Sequence, residues 1–239
     1  MNGKTRKTIR VIAWIILILS ITGLAVIKLG DMRDRKTQEK LNELKDAEML
    51  SDYASLYEEN IDTAGWLKIE GTEIDYVVMH APDTFEKYLR TDFYGYPSRR
   101  GCLYVSESCD IQTSDNVIIF GHCMNDGSMF GTLAYYESED FYREHKYISF
   151  DTIYEKHTYE VVAAIRTSIP PENEDCFRYY NYTGKDDTEM FLDYCDFIEE
   201  NRLYETDCAL EDGDRILTLS TCAYHSPDGR FLVVAKQIA

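Results

Sequence analysis

The feature that most constrains this chain is an uncharged run near its start. Val11 to Ile27 (VIAWIILILSITGLAVI) holds 17 residues without a charge. As a helix it spans roughly 26 Å at 1.5 Å per residue. With Ile9 and Leu29 added, and Arg10 and Lys28 snorkelling, it is long enough to cross a bilayer. A cleaved signal peptide is the alternative. Gly23-Leu24-Ala25 is only a weak small-x-small cleavage site, and the run is long for the apolar part of a signal. An uncleaved anchor is therefore the expectation. Lys28, Arg33, Arg35 and Lys36 follow the span, but Asp31 and Asp34 sit among them. Ten residues precede the span and the whole globular part follows it. Because a first helix usually sets topology, the expected arrangement is a cytoplasmic N-terminus and an extracytoplasmic body.

That split explains the charge. The 239 residues carry a net charge of −18, yet residues 1–29 hold five bases and no acid. Residues 30–239 therefore carry −23. An acidic body excludes a nucleic-acid binder, which needs a basic face. A hydrophobic fraction of 44% excludes wholesale disorder. No acidic cluster has the spacing of a calcium loop, and no metal or cofactor is expected.

The residues divide as a basic tail (1–10), an anchor (11–29), a helical stalk (30–60) and a β-rich body (61–239). In the stalk, Leu50, Tyr53, Ala54 and Tyr57 follow the i, i+3, i+4, i+7 pattern of a helix that packs on the body. From Gly65 onward, short β-branched and aromatic runs predict strands at Trp66–Ile69, Ile74–Met79, Cys102–Val105 and Val117–Phe120. Tyr147–Phe150 and Tyr159–Ile165 read likewise. Residues 131–146 are ambiguous, with a helical leaning at Thr132–Tyr136 and Glu139–Glu144. A helix is expected over Asp187–Asn201, with an apolar stripe of Phe191, Tyr194, Cys195 and Ile198. Asp186 and Glu189 resemble its capping box. Arg215–Thr221 and Arg230–Lys236 are the last strands. Many short strands with few helices predict a mainly β, barrel-like fold with peripheral helices.

Seven cysteines leave at least one free thiol in an exported monomer. No pair has CxxC spacing, so neither a redox motif nor a zinc knuckle is suggested. Free cysteines are commonly buried, inert, small hydrophobes. That reading suits Cys195, and it extends to Cys102, Cys109, Cys176 and Cys208.

Cys222 has different neighbours. It ends the strand RILTLSTC, sharing a face with Ile216, Thr218 and Ser220. After AYHSPDG, whose Pro227-Asp228-Gly229 is a turn signal, Arg230 opens the next strand. If the two strands pair as a hairpin, Cys222 and Arg230 stand at facing ends. A guanidinium there would favour the thiolate or bind a developing oxyanion. A thiol nucleophile also wants an acid–base partner, usually histidine. His122 closes the strand NVIIFGH before the loop CMNDGSMFG and is well placed to project into a site. His225, in the hairpin loop, reads as a loop residue. Asp126, Ser128 and Met129 read as shaping the loop after His122.

These motifs carry a resemblance. TLSTC at 218–222, with Arg230 eight residues later, resembles the active-site signature of sortases. FGHCMNDGSMFGTL at 120–133 is similar to the histidine region of class B sortases, and the match in order and type covers roughly residues 35–239. The resemblance implies a closed eight-stranded sortase barrel, with an N-terminal helical extension and a helix before the penultimate strand. It implies that Cys222 is the nucleophile, His122 the acid–base group and Arg230 the oxyanion or substrate-positioning residue. Ser220, Thr221 and Tyr224 become candidate substrate-binding residues. The implied activity is transpeptidation. A C-terminal sorting motif of a secreted protein is cleaved through a thioester. The product is passed to an amine of a peptidoglycan precursor or a pilin, at a Gram-positive-type cell surface. Cys123 departs from the pattern, putting a second thiol near the site where a polar residue was expected. Two other readings use the same residues or none of them: a surface cysteine protease that only hydrolyses, and a non-catalytic anchored protein.

Overall fold

The computed structural model describes residues 3–45, 53–184, 187–223, 226 and 228–239. It contains two compact units, divided between Lys40 and Leu41. The first is dominated by one long helix, α1 (Gly3–Lys45), which continues the predicted anchor helix well into the predicted stalk. Within it, Ala13–Gln38 is long and apolar enough to cross a membrane.

The second unit opens with a short helix, α2 (Ala54–Glu59). The expected stripe is only half right. Tyr53 is buried, Leu50 lies outside the described residues, and Tyr57 is 41% exposed. Leu56 takes the buried place instead, packed with Trp66, Val77, Met79, Tyr88 and Phe93. A six-residue helix cannot hold a stripe that spans eight positions, so the first turn alone decides which residues face inward.

Eight strands then close into a barrel: β1 (Thr63–Lys68), β2 (Asp75–Met79), β3 (Leu103–Val105), β4 (Asn116–Gly121), β5 (Tyr147–Thr152), β6 (Thr158–Ser168), β7 (Ile216–Cys222) and β8 (Gly229–Gln237). Their order around the wall is β1-β2-β3-β4-β7-β8-β6-β5. The β2–β3 and β4–β7 pairs are parallel and the rest antiparallel. Closure removes free sheet edges, which suits strands as short as three residues. Each predicted strand is present, with ends moved by at most three residues. The ambiguous stretch resolves into a 3₁₀ turn at Leu133–Glu137 and a helix, α3 (Glu139–Glu144).

Alternation along β7 sorts its side chains into two layers. Leu217 and Leu219 enter the barrel core with Leu67, Val78, Ile119, Phe130, Phe150 and Val233. Ile216 faces outward into a second cluster under helix α4 (Thr188–Asn201), with Phe191, Tyr194 and Ile198. The helix begins one residue later than expected. Its cap is Asp187, which accepts from the Met190 backbone N–H at 3.0 Å. The expected cap, Asp186, lies outside the described residues. Shifting the cap by one puts Met190 rather than Glu189 at the reciprocal position, so no capping box forms.

All seven cysteines are free thiols. Cys102 and Cys109 are buried, while Cys195 and Cys208 are half-buried against the outer cluster. Cys176 is exposed, contrary to the expectation of a buried small hydrophobe. It sits in the loop between β6 and α4.

Candidate active site

Strand register builds the site. β4 and β7 run parallel, pairing Asn116 with Ile216 and so on to Gly121 with Thr221. His122 and Cys222 follow those last partners directly. β7 and β8 then pair antiparallel, so that Cys222 faces Arg230. Three segments distant in sequence thus deliver a histidine, a thiol and a guanidinium to one rim. All three line a single groove of about 620 Å³, walled also by Leu89, Tyr104 and Tyr179.

The chain can place His122 there because position 121 lacks a side chain. A Cβ on Gly121 would lie 2.4 Å from Leu103 Cδ2 and 2.7 Å from Phe130 Cδ2. Phe130 packs beside Gly121, and its N–H donates to the His122 carbonyl at 2.9 Å. The His122 ring is half-buried, with Nε2 2.8 Å from the Leu89 carbonyl. A carbonyl only accepts, so Nε2 carries the proton and the neutral ring keeps its lone pair on Nδ1. Burial pulls the His122 pKa below its usual value, and the Arg90 charge adds to this. The Leu89 carbonyl and Glu86 oppose it. The neutral, proton-accepting imidazole therefore dominates at pH 7.

Arg230 is half-buried and donates from Nη1 to the Gly229 carbonyl at 3.0 Å. Two buried tyrosines share its neighbourhood. Tyr104 and Tyr179 both lie within electrostatic reach of Arg230 and Cys222. Burial pushes the Tyr179 hydroxyl up to about 12, and Tyr104 is raised as well. Both stay neutral phenols. Ser220 and Thr221 line the groove yet are almost wholly buried. The Ser220 hydroxyl lies 2.8 Å from that of Tyr179. Thr221 donates to the Gly121 carbonyl at 2.8 Å, stitching β7 to β4 beside the thiol. Tyr224 and His225 lie outside the described residues.

Cys123 is close enough to Cys222 for the two thiols to interact electrostatically. Burial beside Cys222 raises its pKa, which keeps Cys123 protonated. Among the described residues, no group of three or more His, Cys, Asp or Glu is placed to hold a metal ion.

Reading the sequence missed Leu89, Tyr104, Tyr179 and Arg100. Leu89 contributes through its main-chain carbonyl, which leaves no residue signature. Tyr104 and Tyr179 were two among nineteen tyrosines. Arg100 belongs to the support of the loop after His122.

Comparison with known proteins bears on these features. The model of the sortase domain matches residues 67–238. The chain belongs to the sortase family. It is 30% identical to sortase B of Staphylococcus aureus (strain NCTC 8325 / PS 47), over 94% of this chain and 93% of that protein. Its barrel is similar to the Staphylococcus aureus sortase B–substrate complex, with a TM-score of 0.76 and 29% identity over 88% of this chain and 98% of that one. A sortase B complexed with Gly3 is similar too, with a TM-score of 0.75 and 29% identity over 88% of this chain and 98% of that one. The chain is a class B sortase, a cysteine transpeptidase, with the closed barrel and N-terminal helix of that class.

Proposed function

We propose that this sortase cleaves a C-terminal sorting motif of secreted proteins, holds the upstream part as a thioester on Cys222, and transfers it to an amine. The observation that carries this reading is the meeting of Cys222, His122 and Arg230 on one groove rim through strand register. In the first half-reaction, His122 Nδ1 takes the proton of the Cys222 thiol, and sulfur adds to the scissile carbonyl. Arg230 stabilises the oxyanion of the tetrahedral intermediate. Collapse breaks the C–N bond, and the imidazolium gives its proton to the leaving amine. In the second half, the acceptor amine adds to the thioester carbonyl and His122 takes its proton. Collapse then expels the Cys222 sulfur, which recovers the proton. Each histidine protonation is undone within its half-reaction, which suits a ring that is neutral at rest.

The relatives support both substrates, since one sortase B is seen with substrate and another with Gly3. The acceptor proposed here is an amine of a peptidoglycan precursor or a pilin. Ser220 and Thr221 would contribute to the groove floor chiefly through their backbone, their hydroxyls being engaged. The N-terminal segment (1–10) is cytoplasmic in this reading, residues 11–29 are the single-pass anchor, and 30–60 link it to a catalytic domain (61–239) outside the cell. The apolar stretch of α1 supports the anchor. Tethering enzyme and substrates to one surface raises their effective concentration.

The deciding experiment incubates the full-length enzyme with a sorting peptide, with and without triglycine, and follows products by mass spectrometry. A Cys222 thioester and an amine adduct are expected. Release of free acid alone, with amine present, would make the protein a hydrolase. Arg230→Lys should be severely impaired in the same assay, because a point charge does not replace a planar fork.

A further inference from the structure

We infer that Arg100 is a positioning residue for His122, acting from outside the groove as a bracket between the two structures that hold the imidazole. This rests on His122 being the acid–base group proposed above.

Arg100 is a buried guanidinium in the segment between β2 and β3, and it is not among the described lining residues of the groove. Its Nη2 donates to Asp126 Oδ2 at 2.8 Å and its Nη1 to the Ser128 hydroxyl. Asp126 Oδ1 closes the ring by accepting from the Ser128 hydroxyl at 2.6 Å and from its N–H at 3.2 Å. Those hydrogen bonds and the guanidinium hold the Asp126 carboxyl down at about 2, so the clamp is fully charged at neutral pH. Both residues belong to the loop that begins at His122. That loop is pinned back on itself by the pairing of Cys123 with Met129 and by the bond from Phe130 N–H to the His122 carbonyl. Fixing Asp126 and Ser128 therefore fixes the backbone exit of the histidine.

The next residue along meets the other support. Gly101 has φ +59°, and a Cβ there would stand 2.5 Å from the Leu89 carbonyl oxygen, the atom that receives His122 Nε2. Cys102 N–H donates to the neighbouring Tyr88 carbonyl at 2.9 Å. Ser98 ties the bracket together, its hydroxyl accepting from the N–H groups of Arg100 (3.1 Å) and Gly101 (3.2 Å). One short segment thus reaches both the loop that follows the histidine and the carbonyl that receives its ring N–H. A guanidinium suits the job because its planar fork holds two N–H groups in fixed directions toward two acceptors, whereas an ammonium's donors are a compact point charge on a flexible stem.

The test is steady-state transpeptidation by the full-length enzyme with a sorting peptide and triglycine, comparing Arg100→Lys with the unsubstituted protein. Misplacing a catalytic group costs rate, so kcat is expected to fall about tenfold or more with KM within about twofold. The melting temperature should move little, and iodoacetamide should still alkylate Cys222. Ser128→Ala removes one arm and keeps the ion pair. It should give a smaller fall in kcat in the same direction, and it serves if Arg100→Lys does not fold. An unchanged kcat in a folded Arg100→Lys variant overturns the inference. So does a joint rise in KM and loss of thermal stability, which would make Arg100 a general structural residue. His122→Ala is run alongside. If it retains turnover, the acid–base reading itself fails, and that result is distinct from a failure of the bracket alone.

Discussion

His122 and Cys222 end neighbouring strands, yet they are held by different kinds of structure. Cys222 is placed by the sheet. β7 lies between β4 and β8, and its ladder runs unbroken to the Cys222–Arg230 pair. Hydroxyls on the strand are bonded in turn: Thr218 to Tyr194 and Asn116, Ser220 to Tyr179, Thr221 to the Gly121 carbonyl. His122 is placed from outside the sheet, by the Leu89 carbonyl, by Phe130 and by the loop that Arg100 clamps. A ladder fixes a position in all-or-none fashion, because a slip of one residue turns every side chain to the other face. A set of loop contacts fixes it by increments. Changes on the thiol side should therefore be abrupt and those on the histidine side graded.

The largest effect tests the thiol side at its end point. Cys222→Ala should lower turnover by about 10³-fold or more and abolish the thioester, since no other group can carry the acyl chain. Far-UV circular dichroism should be unchanged, because the residue is only half-buried at a strand terminus. Residual turnover within tenfold of the original would show that another thiol serves.

Gly121→Ala strikes the point where the two modes of support touch. Its methyl would overlap Leu103 and Phe130, both in the barrel core. Overpacking of this kind costs about 1–3 kcal/mol, read as a lower denaturation midpoint. Activity should fall with it. A variant with full stability and full activity would show that Phe130 yields more easily than the packing implies.

Tyr179→Phe probes the ladder more gently. It leaves the buried Ser220 hydroxyl without its 2.8 Å partner, at a cost of about 1–2 kcal/mol. Adding Ser220→Ala should recover part of that loss, because removing both partners is milder than orphaning one. If the double variant is no more stable than Tyr179→Phe alone, the hydroxyl pair is not what holds the two elements together.

Acid separates the ring from its clamp on the histidine side by pH. Burial lowers the pKa of His122, and of His80 and His157 elsewhere in the barrel. A histidine depressed in the fold binds fewer protons folded than unfolded, so stability is complete above about 6.5 and declines as pH drops below it. Around His122 the opposing charges are Arg90, which lowers its pKa, and Glu86, which raises it. Asp126 runs on another scale. Its contribution is present above about 3.9 and is lost only as pH falls toward about 2. Melting curves at pH 7, 5.5 and 4.5 should thus show a progressive loss with the clamp still intact. A flat profile down to pH 4.5 would mean that these histidines take up protons as readily in the fold as in the unfolded chain.

The unequal legibility of the two sides in the sequence follows from the same contrast. The thiol side was readable because a strand announces itself by alternation. RILTLSTC, a turn and RFLVVAK fix a hairpin, and the hairpin fixes the Cys222–Arg230 pair. His122 was readable as a strand-end residue after a glycine. What holds its ring was not, because Leu89 acts through a carbonyl and Arg100 lies 26 and 28 residues from its partners in the loop. Local pattern has no means of pairing residues whose contact depends on how β2, β3 and β4 are joined. Asp187 against Asp186 is a different kind of miss: two adjacent aspartates offer the same cap, and only the helix start chooses between them. Leu56 and Tyr57 are the same ambiguity in a helix too short for periodicity to decide.

The smallest expected effect concerns the second thiol, on the histidine side. Cys123 is held in its protonated form chiefly by burial. A thiol kept neutral is a poor nucleophile and a poor ligand, so Cys123 adds no chemistry to the resting site. Its backbone contributes through the pairing with Met129, where any residue that accepts an extended conformation will serve. Cys123→Ser should therefore keep kcat and KM within about twofold, a difference below 0.5 kcal/mol in transition-state binding. Iodoacetamide should label Cys222 well before Cys123 in the unsubstituted enzyme, the order being read by peptide mass mapping. A large fall in kcat for Cys123→Ser, or earlier labelling of Cys123, would move this thiol from the support of His122 into the reacting centre. The histidine side would then hold part of the nucleophile's chemistry, and the division between a sheet-placed thiol and a loop-placed base would no longer stand.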